Sequence, residues 1–164
     1  MNVNYSLISG LCFSLFFGLL VTIIQMINPR AELKSYPEGI KILVTPLTEK
    51  EKKRFKIGKI VVFPIIISLL IVDYFLRVDF QNYFHTFFHF LIVFSIWTLF
   101  DLIIMDWLVF CTLTPKYLVF KGTENNKEYK NYKFHLRGIL FGIPFSVIFS
   151  LILTLLVSGI RLIS

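Results

Sequence analysis

Four long apolar runs separated by short polar connectors set the pattern of this chain: residues 5–27, 57–76, 83–112 and 138–160. Each meets the roughly 20 apolar residues that an α-helix needs to cross a bilayer. The pattern predicts an all-α fold, a polytopic transmembrane four-helix bundle that takes up the whole chain as one membrane domain. No Lys or Arg precedes the first run and no convincing small-residue cleavage site follows it, so it is expected to be a retained span and not a cleaved leader.

Small residues form a second pattern inside two of the runs. Ser6, Gly10, Ser14, Gly18 and Thr22 recur at every fourth position of the first, and Gly138, Gly142, Ser146, Ser150, Thr154 and Ser158 repeat the spacing in the last. On a helix such residues make one stripe without bulk, along which another backbone can approach. The expectation is that the first and fourth spans pack on each other, crossing at about −40°. A homodimer built on one stripe is the alternative. Nineteen phenylalanines against a single alanine make the remaining surfaces bulky. The second and third spans are therefore expected to stand apart and leave an apolar crevice.

The connectors carry the polar signals. Thr48 and Glu51 have capping-box spacing, which starts a helix near Pro46–Thr48 that runs on into the second span. Pro64 and Pro144 are expected to kink the second and fourth spans. The alternating segment after Pro115, the turn Gly122-Thr123-Glu124-Asn125-Asn126 and the segment Glu128–Phe134 read as a small hairpin or a loosely ordered loop between spans three and four.

Composition narrows the class. Hydrophobic residues make up 56% of the chain, aromatics 17%, and mean hydropathy is +0.75, which excludes a soluble domain. The net charge of +7 does not point to nucleic acid, because the basic residues lie between the apolar runs. Nine fall in residues 28–59, one in 77–81 and six in 115–137. By the positive-inside rule the first and third connectors are cytoplasmic and both termini lie outside, with the basic segments against anionic lipid.

The third span carries the candidate chemistry: His85, His89, Asp101 and Asp106. Tyr83 and Trp107 are 24 residues apart, or about 36 Å on an α-helix, matching the two interfacial aromatic belts. His85 and His89 share a face at i, i+4. With Asp73 from the second span they could make a three-ligand metal site with an open position. They lack the glutamate of the HExxH motif, and Arg77 competes for Asp73 at i+4 while Asp79 lies above. The other reading is a polar cluster tying helices together. Asp101, about 9 Å inside Trp107, costs on the order of 2–3 kcal/mol at such depth unless paired, protonated or open to water. It is a candidate proton or cation site, or a structural acid bonded to Thr98 or Gln25. Asp106 is expected to pair with a Lys or Arg of the third connector.

Cys12 falls in the outer half of the first span and Cys111 at the inner end of the third, which in this topology excludes a disulfide between them. Cys111, His135 and Asp106 form a weaker inner candidate for a metal or nucleophile, and Asn4-Tyr5-Ser6 matches a glycosylation triplet too close to the bilayer to carry weight. No catalytic signature occurs elsewhere.

The stretch FDLIIMDWLVFCTLTPKYLVFKGTE, followed by YKNYKFHLRGILFG, resembles a family of small four-helix bacterial membrane proteins that carry no assigned activity. In these an acid-rich third helix precedes a Thr-Pro connector, a Gly-Thr turn and a Tyr/His stretch. The resemblance covers the second half of the chain. It implies a bacterial cytoplasmic membrane and a multi-pass topology, and it transfers no catalytic residue.

Three functions are consistent with these features. The first is a binding or accessory subunit, whose bulky middle helices face lipid, a partner protein or an apolar ligand. The second is a metal- or haem-dependent enzyme using His85, His89 and Asp73, its cofactor unspecified. The third is a proton- or cation-coupled transporter centred on Asp101.

Overall fold

The computed structural model describes residues 3–78 and 82–163, together with the side chains of all of these except Arg77. Asp79 and the side chain of Arg77, considered above as neighbours of Asp73, lie outside this set. Six α-helices form: α1 (Val3–Ile27), α2 (Glu38–Lys41), α3 (Glu49–Arg77), α4 (Tyr83–Phe100), α5 (Tyr132–Leu136) and α6 (Ile139–Ile163). There is no strand among the described residues. α1, α3, α4 with its continuation, and α6 with α5 before it are long and apolar enough to cross a membrane. The chain is a four-span helical bundle, as its hydropathy pattern predicts.

α3 begins where its capping box requires. Thr48 Oγ1 accepts from Glu51 N–H at 3.3 Å, and the Glu51 carboxylate accepts from Thr48 N–H at 2.8 Å. Arg30 reaches the same carboxylate at 2.8 Å and donates to the carbonyls of Thr45 and Pro46. One guanidinium therefore pins the end of the first connector to the start of the second span.

The two small-residue stripes do not meet each other. α1 and α6 each pack along α4 instead. A Cβ built on Gly10 would lie 2.7 Å from Ile96 Cδ1 and 3.3 Å from Val93 Cα. One on Gly18 would lie 2.8 Å from Phe100 Cε1, and one on Gly142 2.6 Å from Thr98 Cγ2. The physical reason is volume. A stripe without bulk packs best against a stripe with bulk, and α4 supplies Ile96 and Phe100 where a second small stripe would leave a void. Gly10→Leu is therefore expected to destabilise the protein by about 1–3 kcal/mol through overpacking. Gly159→Leu, in open space within the same kind of helix, should cost nothing comparable. Unfolding in mixed detergent micelles measures both.

α4 changes hydrogen-bonding pattern at Asp101. From Asp101 to Leu113 the helix is a π-helix, in which each N–H reaches back five residues instead of four. It ends at Thr114, held at φ 43° in the left-handed region, whose N–H donates to the Val109 carbonyl and whose hydroxyl donates to the Phe110 carbonyl, both at 2.9 Å. Depths read at 1.5 Å per residue therefore overstate the length of this half of the span.

The connectors build a second core. Leu33, Tyr36 and Ile40 from the first pack on Phe110, Cys111, Leu118, Phe120 and Tyr129 from the end of the third span and the third connector. The expected hairpin is instead a set of short turns, Lys116–Leu118 and Lys127–Lys130. The two connectors are stitched by Tyr36 Oη donating to Leu118 O at 3.0 Å and by Asn126 Nδ2 donating to Gly39 O at 2.9 Å. Gly122, at φ 88°, makes the turn where a residue with a Cβ would be strained. This connector cap closes one end of the bundle.

Candidate functional site

The buried side chains of α3 form a narrow stripe, Ile66, Leu70 and Tyr74, one residue per helical turn. Beyond Ile66 toward the cap α3 separates from α1 and α4. The gap is a crevice of about 390 Å³, within the size range of small-molecule sites. Its walls are apolar and aromatic, with Phe17, Phe63, Ile66 and Trp97 among them, and its polar side chains include Gln25, Glu32, Lys59, Asp101 and Asp106. Lys59 lies 3.1 Å from Glu32, an ion pair at the cap end. The crevice expected from bulky middle spans is thus present, floored by the cap residues Ser35 and Leu118.

The π-helix sets which side chains reach it. Residues Asp101, Met105, Asp106, Val109 and Phe110 line the crevice, a period of four to five that follows the wider turn. On an α-helix, two residues five apart would point about 140° away from each other. Here Asp101 and Asp106 share a face. Both also line a second cavity of about 210 Å³ between α4 and α6, with Trp97 and His135.

The two acids differ in their partners. Asp106 Oδ1 lies 2.9 Å from Nδ1 of the buried His135, so its partner is a histidine of α5 and not the Lys or Arg expected. The other nitrogen of His135, Nε2, is buried without a partner. Asp101 receives no side-chain donor among the described residues. Thr98, one of its two expected partners, has its hydroxyl 3.3 Å from Ser146 Oγ on α6. Gln25 lines the same crevice as Asp101 without a hydrogen bond to it. The acid is left open to both cavities.

The histidine pair at the other end of the bundle is differently employed. His89 is 1% exposed, its Nδ1 3.0 Å from Ser6 Oγ on α1 and its ring against Tyr74 and Phe90 at centroid distances of 5.3 and 5.2 Å. Beside it the Tyr74 and Thr86 hydroxyls meet at 2.7 Å and tie α3 to α4. His85 is half-buried with Nδ1 unpartnered, and Asp73 is half-buried near the end of α3. No three His, Cys, Asp or Glu side chains group as metal ligands among the described residues. The proposed set of His85, His89 and Asp73 is therefore not assembled. The reason is that His89 turns inward to satisfy Ser6 and fill space between aromatic rings. The inner candidate fares likewise: His135 and Asp106 meet, but Cys111 is buried in the cap's hydrophobic cluster. Cys12 and Cys111 are both free.

Fold and site together define an all-α membrane protein of four spans, with a two-acid crevice opening beside a π-helical segment. Comparison of the chain with protein-family models, curated proteins and solved structures finds no match.

Proposed function

We propose that this is a ligand-binding protein of the membrane, receiving the apolar body of an amphipathic molecule in the crevice between α1, α3 and α4. The observation that carries the reading is the asymmetry of the crevice. Its hydrophobic walls come from three spans, and Asp101, a carboxylate with no side-chain donor among the described residues, stands among them. A carboxylate in apolar surroundings favours a ligand that brings a cation or a donor, since a charge-assisted hydrogen bond contributes about 1.5–3 kcal/mol. Binding of dodecylammonium and of uncharged dodecanol to the protein in lipid nanodiscs tests this. The ammonium should bind at least tenfold more tightly than the alcohol, and Asp101→Asn should abolish the difference. Equal binding of both probes to the unaltered protein would sink it.

A second reading, proton- or cation-coupled transport, draws support from one feature: Asp101 and Asp106 border cavities on two sides of the third span. Transport would add uptake that depends on Asp101, measurable in loaded vesicles. We further propose a bacterial cytoplasmic membrane, with the connector cap in the cytoplasm and the termini outside. The basic connectors support this sidedness. Cysteine accessibility at the exposed positions Leu162 and Lys127 from each side tests it.

A further inference from the structure

Beside the crevice, and sharing Lys59 and Phe63 with it, α3 borders a second groove with a volume of about 720 Å³. Two elements build its basic end. Lys52, Lys56 and Lys59 come from α3 at i, i+4 and i+7, which one helix face presents together, and Lys34 comes from the turn Pro29–Ser35 across from them. Further along the same face the lining turns apolar through Ile60, Phe63 and Pro64. Lys52 and Lys59 have acidic neighbours in Glu49 and Glu32, whereas Lys34 and Lys56 have no carboxylate partner among the described residues. From Lys52 to Pro64 the helix rises about 18 Å.

Charge and hydropathy therefore change along one groove in the order in which they change along a phospholipid. A lysine cluster at one end meets a phosphate, and an apolar lane at the other lies at the depth of an acyl chain. We propose that this groove is a binding site for one anionic phospholipid, its phosphodiester between Lys34 and Lys56 and an acyl chain along Ile60, Phe63 and Pro64. It differs from diffuse attraction of the basic connector to a charged surface, to which every lysine near the interface contributes alike. Lys50 and Lys53, on the same helix turn, do not line the groove.

Native mass spectrometry of the full chain, released from detergent with added dioleoyl phosphatidylglycerol, dioleoyl phosphatidylcholine or inorganic phosphate, tests the proposal. The phosphatidylglycerol should be retained at one copy per chain, at least tenfold in preference to phosphatidylcholine. Lys34→Gln/Lys56→Gln should lose that preference, while Lys50→Gln/Lys53→Gln, with the same change in net charge, should keep it. All four lysines are exposed, so the variants leave the folded core untouched. Equal loss in both double variants would overturn the proposal in favour of diffuse electrostatics. Competition by inorganic phosphate at equal concentration would overturn it in favour of a soluble anion.

Discussion

Tyr36→Ala is expected to destabilise the protein by about 3–5 kcal/mol, the range for deleting a buried aromatic ring. Tyr36 is 1% exposed at the centre of the connector cap, with Phe110 and Phe120 at centroid distances of 5.0 and 4.9 Å. Burial pushes the pKa of its hydroxyl well above the ordinary tyrosine value, so it serves as a neutral donor to Leu118 O. Tyr36→Phe separates the two contributions. It keeps the ring and leaves a buried carbonyl unsatisfied, for about 1–3 kcal/mol. Because Leu118 and Ser35 floor the crevice, Tyr36→Ala should also weaken ligand binding while leaving the spans helical. Unfolding titrations in mixed micelles, beside far-ultraviolet circular dichroism, measure both effects. A cost near zero for Tyr36→Ala would mean that the cap is not a cooperative part of the fold.

Gly58→Phe is expected to lower binding in the crevice about 100-fold, or about 2.8 kcal/mol, while leaving the protein at least as stable. Gly58 lines the crevice, and a Cβ added there meets nothing within 4 Å. A ring at this position can enter the volume that a ligand would occupy without displacing any neighbour. The helix itself should gain, since glycine in a helix interior is about 0.8–1 kcal/mol worse than alanine. Loss of binding with unchanged unfolding separates occlusion from misfolding. Unchanged binding would place the ligand elsewhere.

Much of this architecture is legible in the chain. Hydropathy alone marks the four spans, the Thr48–Glu51 spacing marks the start of α3, and the abundance of phenylalanine anticipates the crevice. Three features escape for physical reasons. Stripes of small residues signal close approach without saying to what, and matching like with like misses that Gly10 and Gly18 are filled by Ile96 and Phe100. The cap core has a signal in Leu33, Tyr36 and Ile40, spaced three and four apart, but the prolines and charges around it make the segment read as a solvated linker. The π-helix leaves no polarity signature of its own, because the residues it turns inward are visible only once the wider period is known. That last omission matters most for the site. It separates Asp101 from Asp106 on paper and joins them in the structure. His89 shows the converse: a polar residue at functional spacing finds its partner in Ser6, 83 positions away in the chain.

The most direct test of the crevice is the fluorescence of Trp97, which lines it. In a Trp107→Phe background it is the single tryptophan left of two. Titration with dodecylammonium in nanodiscs should shift or quench its emission saturably, and Gly58→Phe should remove the response. A linear, non-saturating change, identical with and without Gly58→Phe, would contradict a binding site between α1, α3 and α4.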